Sequence, residues 1–156
     1  MTASAPSSTA LAGALWSAYR GSGVYIVSVR DRASIADALA DFVASQDIRA
    51  GQITGVGATN HAVLRFFDPA TKAYVDKAFT EQMEIANLSG NIASVRGKLI
   101  LHMHVTLGRR DYVALAGHLL DAQIRGAGEF FIYPVDADIV KVPDPAVGLN
   151  FYNFSG

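Results

Sequence analysis

The sequence predicts an α+β domain, a central and mostly antiparallel β-sheet with one main helix. Three observations predict it: a single amphipathic helical pattern after Ser34, many short β-branched or aromatic runs bounded by turn residues, and a length of 156 residues that fits one domain. One helix among many strands argues against a doubly wound parallel sheet, which needs a crossover helix for almost every strand.

Val24 to Arg30 (VYIVSVR) follows Gly21 and Gly23 and is rich in β-branched residues, so it reads as the first strand. Ser34 can accept from the free amides that open a helix, and Asp37 three residues on suits a capping box. Ile35, Leu39, Phe42 and Val43 then share one helical face, and the helix is expected to stop near Gly51. Gln52 to Asn60 reads as a strand with a glycine kink, and Ala62 to Phe67 as a second run closed by Asp68-Pro69. Ala73 to Phe79, Gln82 to Leu88 and Lys98 to Leu107 are further strands, with a break at Ser89-Gly90-Asn91. Tyr112 to Gln123 fits neither period cleanly. Glu129 to Val135 reads as an edge strand, because Pro134 has no amide to donate.

Residues 1–20 are expected as a flexible leader, since the Ser, Thr, Ala and Pro at their start supply little to pack. Residues 21–140 form the folded domain. Residues 141–156, with Phe151, Tyr152 and Phe154, form a tail that packs on the domain or on a neighbouring subunit.

Hydrophobic residues make up 51% of the chain and charged ones 17%, which excludes intrinsic disorder and suggests apolar surface buried between subunits. The formal charge of -1 argues against a strongly basic DNA binder. With no cysteine there can be no disulfide, thiolate nucleophile or Cys-ligated metal, which leaves His and carboxylates as ligands. No run approaches the roughly 20 apolar residues that span a bilayer, and the N-terminal stretch lacks a basic n-region, so a cytoplasmic protein without a membrane partner is expected.

The best clue to function is a cluster of histidines. In Leu99 to Leu107 (LILHMHVTL), strand alternation puts His102 and His104 on one face, about 6.5–7 Å apart along the strand. Two imidazoles so placed can converge on one ion at roughly 2.0–2.1 Å, and His118, returning after the Gly108-Arg109-Arg110-Asp111 turn, is placed to add a third ligand. Zinc or another divalent transition metal is the expected cofactor, and three neutral ligands would leave one position open to acidify a water. The bland alternative is that these histidines line a polar groove without metal. His61 is read as an ordinary strand residue.

Arg65, inside AVLRFF, and Glu84, inside QMEIANL, are charges on strands expected to be half buried. Each is either a solvated residue or, if it faces the histidines, a participant: Arg65 as a bidentate clamp on a carboxylate, Glu84 as an acid, base or partner to a ligand. Gly55 to Asn60 begins like a dinucleotide loop but lacks the final glycine and a following helix, so a kinked strand is the better reading. There is no GxxxxGK[ST], HExxH or GxSxG sequence, so the chemistries those motifs serve lack their residues.

Gly55 to Ala58 (GVGA), Leu64-Arg65 with Phe67-Asp68, Glu84-Ile85, Leu88 to Ile92 (LSGNI), Leu101 to Gly108 (LHMHVTLG) and Gly117 to Leu120 (GHLL) occur in an order that resembles the PPC domain, shared by plants and prokaryotes. The resemblance spans roughly Gly23 to Val135 and implies an antiparallel α+β unit that assembles as a homotrimer. Plant relatives join the domain to a basic AT-hook, and prokaryotic ones carry a DNA-binding label on that basis. No Arg-Gly-Arg-Pro element is present here, so the part that would enter the minor groove is missing. The fold is also similar to that of acetolactate decarboxylase, where an HxH pair and a later His hold zinc beside an Arg and carboxylates; the matching positions are His102, His104 and His118. Two functions follow from different classes. The first is a trimeric DNA-binding or regulatory module with a three-His metal site. The second is a zinc-dependent, lyase-like enzyme for a small carboxylate or sugar-derived acid, with Arg65 as clamp and Glu84 moving protons.

Overall fold

The computed structural model describes residues 9–154, in ten strands and one helix. The chain opens with β1 (Thr9–Ala12), β2 (Trp16–Arg20) and β3 (Tyr25–Val29), continues through α1 (Ile35–Ser45), then lays down the long strands β4 (Gly51–Asp68), β6 (Met83–Val95), β7 (Lys98–Gly108) and β8 (Ala114–Pro134). The shorter β5 (Ala73–Phe79) lies between β4 and β6 in sequence, and β9 (Val140–Asp144) and β10 (Leu149–Asn153) close the chain. The α+β expectation holds: every strand pairing is antiparallel except the short parallel contact of β9 with β6.

The helix forms where its cap and apolar spacing predict. The Ser34 hydroxyl accepts from the Asp37 amide at 3.0 Å and donates to Asp121 Oδ1 on β8 at 2.8 Å. The same Asp121 oxygen accepts from the Ala36 amide at 3.2 Å, so the cap ties the helix start to the sheet as well as satisfying free donors. Ile35, Ala38, Leu39, Phe42 and Val43 are buried, each apolar side chain beyond alanine contributing roughly 1.5–3 kcal/mol on removal from water. The helix ends at Ser45, earlier than the expected Gly51, because Asp47 turns into positive φ and Ile48 returns its amide to the Val43 carbonyl.

The leader expectation for residues 1–20 is corrected over residues 9–20; residues 1–8 lie outside the described part. β2 pairs with β3, and Trp16 is 3% exposed, its indole edge-on to Phe42 at 4.9 Å and its Nε1 donating to Asp41 Oδ2 at 2.7 Å. One large aromatic ring repays the ordering of a segment whose other residues are small.

Three further boundaries differ. Gln52–Asn60 and Ala62–Phe67 are one continuous strand, as are the segments on either side of Ser89-Gly90-Asn91, and the ambiguous stretch from Tyr112 merges with the run at Glu129 into β8. Glycines that read as breaks are instead places where strands cross closely or bulge. A Cβ on Gly90 would lie 2.6 Å from the His102 carbonyl oxygen, and Gly126 sits at φ 113° where β8 shifts register against β4. Nor is the run ending at Pro134 an edge: β8 pairs with β3, β4 and β7, and Pro134 lies opposite Gly51 at the very end of the ladder, where a missing donor costs least.

These pairings place the site. β4 pairs with β6 and with β8, β6 pairs with β7, and β7 pairs with β8, so four long strands form a closed ring of neighbours. β5 extends β4 beyond this ring. The residues expected as a tail fold back as the β9–β10 hairpin, docked on β6 through Ser94–Val140 and Val95–Lys141. No helix among the described residues is long and apolar enough to cross a membrane.

Candidate metal centre

Antiparallel partners point to the same face of a sheet, so register decides which side chains meet. His104 on β7 lies opposite His118 on β8, His118 lies opposite Arg65 on β4, and Arg65 lies opposite Asp76 on β5. A single row of chemistry-bearing side chains therefore crosses four strands. His102, two residues before His104 on the same strand, faces the same way and lies opposite Asn91 on β6.

The three imidazoles form a nearly equilateral triangle. Ring centroids are 5.1 Å apart for His102–His104, 5.1 Å for His102–His118 and 5.4 Å for His104–His118. Each ring offers a nitrogen within 4.8 Å of the others, and the Nε2 atoms of His102 and His104 are 3.2 Å apart. Two nitrogens bound to one tetrahedral zinc at 2.0–2.1 Å are separated by about 3.3 Å, so that spacing suits a shared ion. Burial, first of all, lowers the His102 pKa to about 4, with the positive charge of Lys141 and the two other histidines adding to the effect. His118 is lowered too, chiefly by burial and then by His104. At neutral pH both rings are uncharged, the state in which imidazole ligates metal. The all-nitrogen donor set, its spacing and the neutral state of His102 and His118 therefore fit a divalent transition metal. His61 is not part of any such group among the described residues.

The triangle opens into a cavity of about 450 Å³ whose walls include Arg65, Phe67, Tyr74, Leu101 and Lys141. A wider depression of about 840 Å³ lies elsewhere, edged by Asp47, Arg49 and Asp138. Its Arg49 reaches Asp47 at 3.6 Å and Asp138 at 3.9 Å, and no group of metal ligands among the described residues converges there, so size does not identify the site.

Arg65 faces the histidines, as one of its two readings anticipated, but its guanidinium is already engaged. Nε and Nη2 donate to the two Asp76 carboxylate oxygens at 2.7 and 2.8 Å, and the guanidinium carbon lies 4.7 Å from the centre of the Tyr74 ring. That hydrogen bond lowers the Asp76 pKa and raises that of Arg65. Glu84 does not reach the site. It is exposed and lies opposite Gly108, four residues along β7 from His104 and hence about 13 Å away along the strand. The role as proton carrier beside the metal is therefore corrected: on the solvated side of β6, Glu84 is the ordinary surface residue of its other reading.

Sequence reasoning missed Lys141. It is 6% exposed on β9, with Nζ donating to Asn91 Oδ1 at 2.9 Å and lying 4.7 Å from the centre of the Tyr152 ring. Its signal was a single charge inside the apolar alternation Ile139-Val140-Lys141-Val142, which the tail reading passed over.

The model of the Plants and Prokaryotes Conserved (PCC) domain matches residues 17–136. The chain belongs to the PCC family. This is the PPC domain that the sequence motifs resemble. No curated protein sequence matches the chain. Among solved structures, the PCC fold here is similar to a candidate DNA-binding protein from Bacteroides thetaiotaomicron, with 46% identity, a TM-score of 0.89, and 91% of this chain and 99% of that one covered. It is also similar to a metal-containing protein from Archaeoglobus fulgidus, at 28% identity and a TM-score of 0.79, covering 85% and 94% of the two chains. A Staphylococcus aureus protein of unknown function, described as similar to alpha-acetolactate decarboxylase, shares the fold at 13% identity and a TM-score of 0.51, over 79% of this chain and 56% of that one. That likeness is one of fold alone.

Proposed function

We propose that this chain is a PCC module that works as a homotrimer and holds a divalent metal, zinc foremost, on His102, His104 and His118. The observation that carries the reading is the triangle of imidazoles at the mouth of a cavity, with 3.2 Å between two ligating nitrogens. The metal-containing Archaeoglobus relative supports it. When bound, such a metal supplies a Lewis-acidic position for one small molecule or water. The chain's own residues bound the space for that molecule: Phe67, Tyr74 and Leu101 supply apolar wall, and Asp76 fixes Arg65 at the rim. The regulatory reading is favoured over the enzymatic one because Glu84, the expected proton carrier, lies outside the cavity.

DNA enters through the description of the Bacteroides relative, which is similar over nearly the whole chain. Fluorescence anisotropy with duplex DNA at two salt concentrations tests it: binding that weakens steeply with salt is expected of a DNA module, and absent or salt-insensitive binding removes DNA as the partner.

The metal is tested by elemental analysis of purified protein beside a His102→Ala/His104→Ala variant. About one zinc per chain in the parent and near none in the variant is the expected result. Equal zinc in both would overturn the assignment. Sedimentation equilibrium tests the trimer.

A further inference from the structure

Lys141 presents a problem that the metal site makes sharper. An ammonium group has three donors and a full charge, and burying it without a counter-ion is costly. Here one donor goes to Asn91 Oδ1 at 2.9 Å, and the Tyr152 ring supplies a weak cation–π contact, yet among the described residues no carboxylate lies within ion-pair distance of Nζ. No carboxylate is among the residues that line the cavity, and Asp76, across the strand from Arg65, is held bidentately by it. Lys141 nevertheless lines the same cavity as the three histidines, and Asn91, which orients it, is the cross-strand partner of His102.

We propose that Lys141 is the second anchor of the cavity's ligand, and that this ligand is a small carboxylate with an apolar body. Buried positive charge with no carboxylate partner among the described residues calls for an anion from outside, and the remaining wall, Phe66, Phe67, Ile100, Leu101 and Leu149, suits a hydrocarbon portion better than a sugar or a bare inorganic ion. The hairpin register explains how a residue so far along the chain arrives there. Lys141 pairs with Val95 on β6 and with Tyr152 on β10, and this register brings its ammonium over the Tyr152 ring at the cavity wall. Arg65, neutralised by Asp76, is a rim residue and not the principal clamp. This inference rests on the metal reading only in that a cation on the histidines would add to the same demand for an anion.

The test is calorimetric titration of the zinc-loaded full-length protein with isovalerate, with its neutral isostere isovaleramide, and with inorganic phosphate, for the parent, Lys141→Met and Lys141→Arg. Zinc content is measured on each. The expected result is unchanged zinc in all three, isovalerate affinity lower by about tenfold or more in Lys141→Met and largely kept in Lys141→Arg, and no difference between parent and variants toward isovaleramide. In buffer without carboxylate, Lys141→Met should melt above the parent, because the unpaired charge is gone, and isovalerate should raise the melting temperature of the parent more than that of the variant. Equal isovalerate affinity in parent and Lys141→Met at equal zinc content would overturn the proposal. Tighter binding of phosphate than of isovalerate would overturn the carboxylate class. A parent without zinc would refute the metal reading alone; the loss of isovalerate binding in Lys141→Met is then still expected, and its absence still counts against Lys141.

Discussion

His104 and His118 stand directly opposite each other on β7 and β8, with ring planes 88° apart and centroids 5.4 Å apart. Fourteen positions of chain separate them, and the turn at Gly108–Val113 returns β8 so that the two meet in register. A one-residue slip would turn His118 to the other face. Inserting one alanine into that turn is therefore expected to abolish zinc retention in elemental analysis. Adding two, which restores the facing if the slip is taken up by the ladder, should recover part of it.

The metal-free protein should lose stability on acidification. The folded His102 pKa of about 4 is below the usual 6.5 of the unfolded chain, so between these values the unfolded state binds more protons. Unfolding free energy then rises with pH from 4 to 6.5 and levels off above. Discounted for a ring that is partly open to solvent, the effect amounts to ~1–2 kcal/mol. Urea titrations of chelator-treated protein at pH 7 and at pH 4.5 measure it, and His102→Gln should flatten the difference.

Trp16 ties β2 to the helix, so its loss should destabilise the whole domain. Trp16→Ala is expected to cost about 3–5 kcal/mol in chemical denaturation, the range for a buried aromatic truncation. A loss below about 0.5 kcal/mol, as expected for an exposed surface site, would mean that residues 9–20 behave as the leader that their composition suggested.

Ser34→Ala removes one cap acceptor and leaves Asp121 with only the Ala36 amide as its described partner at the helix start. A loss of about 1–2 kcal/mol is expected, with Ser34→Thr retaining most of the stability. Asp76→Asn, by contrast, breaks a half-exposed ion pair. It should leave stability nearly unchanged in the same assay.

The local rules of the chain were legible where one segment settles its own structure. The cap at Ser34, the apolar face of α1, the alternation that puts His102 and His104 on one side and the positions of β3, β5 and β7 all follow from neighbours within a few residues. So did the family, because its motifs are short and ordered. Strand continuity through Gly90 was not legible, since a glycine demanded by a close backbone approach looks the same in sequence as one that ends a strand. Nor was the burial of Trp16, which depends on Phe42 and Asp41 in a distant element.

By itself, then, the sequence determined the α+β class and proposed the three histidines as ligands. Only the tertiary structure decided that Arg65 is neutralised by Asp76, that Glu84 belongs to the solvent and that Lys141 belongs to the cavity. The physical reason is that cross-strand register and the docking of the C-terminal hairpin on β6 are set by packing over the whole sheet, and a charge's role depends on which partner that packing delivers to it.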